Sequence, residues 1–223
     1  TYTAYQRGAT GSGAYGYFGG GSSPNFSYVD RIDYANDTAA AAPKGKLNVS
    51  KYQMATFSSK EYGMPQTNSP KSVTPAMVGN PVGPAHGYFA GGTGYSGDVS
   101  LVQRIDFASD TSTASNRGNL PITMKNAAGG SNSTHGYTFG GYYNYSQISN
   151  TYRVDYADDT VAATPKGKLS TSAQLTACVG TSRFGYVGGF NGPAGYYSRI
   201  DRFDYASDTS TSIANDIFDP GSY

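Results

Sequence analysis

One eight-residue phrase is written four times in this chain, and its spacing constrains the fold more than any other feature. It reads RIDYANDT from Arg31, RIDFASDT from Arg104, RVDYADDT from Arg153 and RFDYASDT from Arg202. The last three begin 49 residues apart, while Arg31 to Arg104 spans 73, longer by 24. A fixed period in the forties means stacked supersecondary units, each burying its core only against a neighbour.

Two further markers keep the same beat. GYFGGG starts at Gly16, GYFAGG at Gly87, GYTFGG at Gly136, and FGYVGGF places its equivalent at Gly185. A large apolar residue follows the Asp of each DT pair by ten positions, at Leu47, Leu120, Leu169 and Phe218. The units therefore read 1–47, 48–71, 72–120, 121–169 and 170–218 as a single repeat domain, with a tail at 219–223. The second is the odd one. Its opening, SKYQMATFSSKEYG, keeps the unit spacing up to Gly63, and TNSPK at 67–71 resembles ATPK at 163–166. About 25 residues are missing between them, one Gly-Gly segment and one RIDY segment. Either this unit has lost two strands or the chain omits a stretch of the gene product, as its start without Met also suggests.

Inside a full unit the sequence predicts four short strands. In the last unit they are AQLTACV at 173–179, GYVGG at 185–189, SRIDRFDYA at 198–206 and the TSTSIAND segment. The glycines mark places where backbones crowd or leave the sheet. The ANDT, ASDT and ADDT quartets are turns in which Asp and Thr side chains bond nearby backbone N–H groups. Helical periodicity is absent, and Pro43 with Gly45, repeated as Pro165 with Gly167, rules out a helix through AAAAPKGK. Strand three alternates, with Ile32 and Tyr34 facing one way and Arg31 and Asp33 the other. The same pattern sets Arg104 and Asp106, Arg153 and Asp155, and Arg202 and Asp204 on one face. If neighbouring sheets cover both faces, these Arg-x-Asp pairs form an ionic layer between them, because a buried Arg without its Asp is expensive.

Taken together, the Gly-Gly doublet closing strand two, the Tyr-Asp-like strand three and the Asp-Thr turn resemble the kelch repeat over essentially all of 1–218. The resemblance implies an all-β, kelch-like β-propeller of four-stranded blades, four complete plus one shortened unit. The chain departs from the kelch pattern where a tryptophan follows the strand-three turn. Ala42, Ala163 and Ser212 occupy that region, and the chain has no tryptophan at all. Its wording also resembles tandem kelch-like arrays in structural proteins of marine bacteriophages. That second likeness implies a non-catalytic structural or adhesion protein of a virion appendage or another extracellular assembly. Its partners would be other structural proteins or further copies of itself.

Little in the sequence supports chemistry. The net charge is +1 with 14% charged residues, which excludes the basic stripe that nucleic acid demands. No run of 18 apolar residues exists, so no membrane insertion is expected. Cys178 is the only cysteine, which leaves no disulfide framework and reads as a small packing residue. Copper oxidases built on kelch-like propellers use paired Tyr and His ligands with a modified Cys. Here His86 and His135 stand where other units have Tyr15 and Phe184, an aromatic packing position rather than a metal site. GTGYSG at 92–97 lacks the helix and lysine of a phosphate loop, and Glu61 is the sole glutamate. No carboxylate pair and no Ser-His-Asp set stands apart from the repeat. We therefore expect no enzyme, no cofactor and no metal. Asn25, Asn36, Asn48, Asn132 and Asn144 open N-x-Ser/Thr triplets, which matter only in a glycosylating compartment.

The units differ most between strands two and three. Those connections, at 22–28, 93–100, 142–149 and 190–198, are rich in Tyr, Asn and Gly and are expected on one rim. Phe26, Tyr28, Tyr95, Tyr142, Tyr143, Tyr145, Phe190, Tyr196 and Tyr197 are the candidate binding residues there, since tyrosine offers rigid amphipathic contact area. An alternative function follows from them: a glycan-binding propeller with cell-surface glycans as partners.

Overall fold

The computed structural model describes residues 4–22, 26–59 and 86–217, apart from the side chains of 215–217. Asn25, Glu61, Gly63, TNSPK, Phe218 and the tail lie outside the described residues. The chain is all-β, and its described residues build four larger antiparallel sheets in succession and one small one. Sheet I runs β1 (Gly8–Gly11), β2 (Tyr15–Gly19), β3 (Tyr28–Asp33) and β4 (Ala42–Lys46), paired in chain order. Next come β5 (Lys51–Tyr52), β6 (Ala55–Ser58), β7 (His86–Ala90), β8 (Thr93–Gly94), β9 (Gly97–Asp98), β10 (Leu101–Asp106) and β11 (Ser115–Asn119). Of these β6, β7, β10 and β11 make sheet II, while β5, β8 and β9 form a small three-stranded sheet. Sheet III holds β12 (Ala128–Ser131), β13 (His135–Phe139), β15 (Ser146–Asp155) and β16 (Thr164–Ala173), with β14 (Tyr142–Tyr143) as a short extra strand on β15. Sheet IV is β17 (Ala177–Gly180), β18 (Phe184–Gly192), β19 (Gly195–Asp204) and β20 (Ile213–Ile217). Among the described residues no helix is long and apolar enough to cross a membrane.

Sheets I to IV thus each carry the four strands expected of a unit, and the described part of the second unit joins one of them. Its strand β6 pairs with β7, Ala55 opposite Ala90 and Ser58 opposite Gly87. A lone first strand leaves a row of backbone groups unpaired, and the GYFAGG strand at 86–90 satisfies them. Gly87 thus takes the role that the sequence assigned to Gly63. The described part of 48–71 supplies the first strand of sheet II.

Strand three ends in a tight turn in every sheet. The side chains of Asp33, Asp106, Asp155 and Asp204 each accept a hydrogen bond from the backbone N–H two residues on, all at 2.9 Å. In sheets I, II and IV this caps a single 3-10 turn. Asp does this well because its short carboxylate reaches the free N–H of the turn.

Three apolar cores lie between successive sheets. Tyr17, Val29, Leu47, Phe89 and Ile105 join I to II. Phe57, Tyr88, Val102, Tyr152 and Val154 join II to III. Tyr137, Phe139, Val187, Phe203 and Tyr205 join III to IV. Each core is crossed by one polar joint. In each sheet a strand-two Tyr is in register with a strand-three Arg: Tyr17 with Arg31, Tyr88 with Arg104, Tyr137 with Arg153. Both point at one carboxylate of the following sheet. Tyr88 and Arg104 each donate to Asp159 at 2.8 Å. Asp110 receives Tyr17 at 3.0 Å and Arg31 at 2.7 Å, and Asp208 receives Tyr137 at 3.2 Å and Arg153 at 2.7 Å. A second cation from strand four faces the other carboxylate oxygen: Lys44 at 3.7 Å, Arg117 at 3.5 Å and Lys166 at 3.3 Å.

An ionic layer between sheets is thus present, with a different acid from the one the alternation suggested. The Asp of Arg-x-Asp is engaged with its own turn, so the arginine reaches instead to the Asp of the next sheet's Asp-Thr pair. Backbone contact fixes that turn in place. Gly45, Gly118 and Gly167 donate their N–H to the carbonyls of Asp110, Asp159 and Asp208 at 2.7–2.8 Å. A Cβ on any of these glycines would collide with the carbonyl of Ser112, Val161 or Ser210. The strand-four glycine is therefore as much a part of the joint as the charges.

The two acids make separable expectations. Asp159→Ala strands Tyr88, Arg104 and Arg117 at a buried joint and should cost about 3 kcal/mol. Asp106→Ala loses only a turn cap, about 1 kcal/mol. Urea denaturation of the two variants checks this, and equal losses would contradict the assignment.

Candidate functional site

The connections between strands two and three leave each sheet at the end where its first strand begins, and backbone bonds link those first-strand starts from sheet to sheet, so the tyrosine-bearing loops lie at one end. Three of them close as tight hairpins. Tyr95 is at the tip of the β8–β9 hairpin and is 93% exposed. Tyr145 is 90% exposed in a two-residue turn in which Asn144 (φ 46°) and Tyr145 (φ 62°) are both left-handed. Paired left-handed residues match the right-handed twist of a hairpin, and the Asn accounts for the first of them. Tyr196 follows the Pro193–Ala194 turn and is 85% exposed. Such exposure in large aromatics at three hairpin ends sets them apart from the other described residues.

The remaining candidates divide. Tyr28, Tyr143 and Tyr197 are exposed. Phe26 is half-buried beside Tyr28, their ring centroids 6.2 Å apart. Tyr142 is half-buried, with the Lys125 ammonium 5.6 Å from its ring centroid. Phe190 does not belong to the rim. In sheet IV pairing continues past the Gly-Gly doublet to Gly192 opposite Gly195, which turns Phe190 into the core at 1% exposure.

Beneath this end lies a feature the sequence reading missed. Gln6, Gln53, Asn126 and Leu175 each stand two residues before their sheet's first strand, and all are left-handed with φ of 55–58°. Their backbones are linked in series. Gln53 N–H donates to Gln6 at 3.1 Å, Asn126 to Gln53 at 3.0 Å and Leu175 to Asn126 at 2.9 Å. Non-glycine residues rarely adopt this conformation unless surrounding bonds impose it. The first strands also adjoin in order, β1 to β6, β6 to β12 and β12 to β17. A cleft of about 430 Å³ is lined by residues of all four, including Thr10, Thr56, Ser131, Thr176 and Cys178. Its walls mix hydroxyl-bearing side chains with large ones such as Phe18, Met54 and Phe57, and Thr176 Oγ1 is buried without a partner among the described residues. Three of these residues carry an amide side chain, but Leu175 does not, so no one residue type marks the left-handed positions.

Titratable groups inside the fold serve packing. Burial and the adjacent Asp110, Asp159 and Asp208 hold the phenols of Tyr17, Tyr88 and Tyr137 above their usual range. Burial would raise Asp208, but Arg153 and Lys166 outweigh it and hold its carboxyl below the ordinary value. His86 lies edge-on to Tyr88 at 6.3 Å, and burial with the nearby Arg104 lowers its pKa. The equivalent rings of Tyr15 and Phe184 lie under Arg31 and Arg202, at 4.2 and 4.9 Å. Burial pushes the Cys178 thiol up to about 12, far from the thiolate form a nucleophile needs, and the hydrogen bonding of Tyr205 only partly offsets it. The stretch GTGYSG is the β8–β9 hairpin with its flanks.

Lys51 is a charged side chain inside the packing. It is fully buried and donates to the carbonyls of Phe89 and Leu101, both at 2.9 Å. In sheet I, Arg7 answers the matching carbonyls, Phe18 at 2.6 Å and Tyr28 at 3.4 Å, and pairs with Asp30 at 2.7 Å. Strands two and three separate here at the glycines, so two carbonyls converge and a cation fills the gap. The signal was available: Lys51 interrupts a position that holds Met124 and Ala173 in sheets III and IV.

Comparison of the chain with family models gives no match, and comparison with curated proteins gives none either.

Burial lowers the Lys51 ammonium from its ordinary value to about 7. A base whose folded pKa is depressed binds fewer protons folded than unfolded, so stability rises with pH above that value. Denaturation between pH 7 and 9 should show stability increasing by on the order of 1 kcal/mol per pH unit, and Lys51→Met should flatten the profile. A profile unchanged by Lys51→Met would contradict this.

Proposed function

We propose that this chain is a kelch-like β-propeller module acting as a non-catalytic structural or adhesion element of an extracellular assembly, such as a virion appendage. The observation that carries the reading is the set of exposed hairpin tyrosines, Tyr95, Tyr145 and Tyr196, at one end of a regular scaffold. Four successive sheets with ordered first strands and repeated joints support the propeller form. The scaffold repeats its charges in every joint, whereas the tips vary in length and turn type. Variation placed on a fixed frame suits recognition of a macromolecular surface. Exposed aromatic faces contribute most to binding when a partner covers them.

The second reading, a glycan-binding propeller, is favoured by exposed Asn144 beside Tyr145. An aromatic face with a neighbouring amide suits the apolar face and hydroxyls of a sugar. Cell-surface glycans would be the ligands.

A triple variant, Tyr95→Ser with Tyr145→Ser and Tyr196→Ser, should keep the melting temperature of the parent because none of the three is packed. On an array of defined glycans, saturable binding lost in this variant supports the glycan reading. A flat array for the parent favours the structural module. Release of shortened glycans would overturn the non-catalytic assignment altogether.

A further inference from the structure

We propose that the outer face of sheet IV docks the free face of sheet I in a second copy, so that molecules associate head to tail. This carries the assembly reading to a particular surface, and it rests on the joints rather than on the tyrosine rim.

The three internal joints define what each face wants. Going along the chain, every sheet offers a Tyr and an Arg from strands two and three, and the next sheet supplies a turn Asp with a flat aromatic three residues before it. That aromatic stacks on the tyrosine: Phe107 on Tyr17 at 4.7 Å, Tyr156 on Tyr88 at 5.2 Å and Tyr205 on Tyr137 at 4.9 Å. Sheet IV makes the offer again. Tyr186 is in register with Arg202, and Arg202 lies over Phe184 as Arg31 lies over Tyr15. No carboxylate among the described residues pairs with Arg202, and no Asp accepts from the Tyr186 hydroxyl. Sheet I holds the matching half. Tyr34 and Asp37 occupy the positions of Tyr205 and Asp208, yet Tyr34 is 42% exposed and Asp37 is exposed.

Charge complementarity and continuity with an established contact therefore point to one occupant for each face. The occupant of sheet IV is a sheet I, and the occupant of sheet I is a sheet IV. The backbone series at the left-handed residues stops at the same places, beginning at Gln6 and ending at Leu175. A contact that joins two different faces propagates around a ring or along a filament.

One feature sets the strength of the contact. Positions 215 and 216 read Asn-Asp where the joints have Lys166-Gly167 or Arg117-Gly118. The third cation and the glycine that admits the turn backbone are both missing. The docked face is expected to rest on Arg202 and Tyr186, to be weaker than the internal joints and to depend on concentration.

Sedimentation velocity of the chain across a concentration series, with Asp37→Arg and Arg202→Asp, tests this. The parent should shift to larger species as concentration rises. Each single variant should weaken association at least tenfold while keeping its melting temperature. Mixing the two variants should restore association, because Arg202 of one then meets Asp37 of the other. A parent that is monomeric at every concentration would overturn the proposal, as would single variants that associate normally or a mixture that stays apart. A monomeric parent whose melting temperature falls on Asp37→Arg would show instead that the two faces meet within one chain. The rim triple variant should associate like the parent, so failure here and failure of the rim reading are distinguishable.

Discussion

A single carboxylate, buried where one sheet meets the next, holds this structure in order. Asp110, Asp159 and Asp208 each neutralise a guanidinium and accept a phenol, and each also faces a second cation from strand four. Buried charges contribute little net stability when they replace apolar packing, but leaving one unpaired is costly. The joint therefore acts mainly by specifying. A sheet that slipped or turned over would strand Arg and Tyr donors in an apolar interface, and the glycine–turn contact would be lost with them. Large aromatic cores supply the bulk of the burial on either side.

Much of the architecture was legible from the period alone. The Gly-Gly doublets, the RIDY strands and the Asp-Thr turns fell where the spacing put them, and four strands formed around each. What the sequence obscured was who pairs with whom. Arg31 and Asp33 share a face of a strand, yet a two-residue turn captures Asp33 because its side chain is closer to Ala35 N–H than to any guanidinium. The true partner lies 79 residues away, a separation that no local pattern encodes. A clue existed in the seven-residue spacing from each turn Asp to a Lys or Arg before glycine, which recurs at Lys44, Arg117 and Lys166. The pairing of β6 has a similar origin. Spacing aligned Gly63 with the repeat, but a strand pairs with whichever GY strand it can reach, and that was Gly87.

The rim was partly legible. Tyrosines in short, glycine- and asparagine-rich connections pointed outward at Tyr95, Tyr145 and Tyr196, as hairpin geometry requires. Phe190 went the other way because sheet IV keeps pairing beyond a register shift between Gly188 and Phe190, and a shift of one residue reverses the face a side chain takes. The left-handed series through Gln6, Gln53, Asn126 and Leu175 was invisible, since it is written in backbone conformation. Frame and tips thus follow different logic: the frame repeats its chemistry, and the tips share only an exposed aromatic.

The central claim is that the turn Asp of one sheet and the Tyr–Arg pair of the preceding sheet act as a unit. A double-mutant cycle on Arg104→Met and Asp159→Leu measures this directly by urea denaturation. The double variant should be more stable than the sum of the single losses allows, by about 2 kcal/mol of coupling. Strictly additive losses would mean that the two residues are energetically independent, and the joint would not be what orders the sheets.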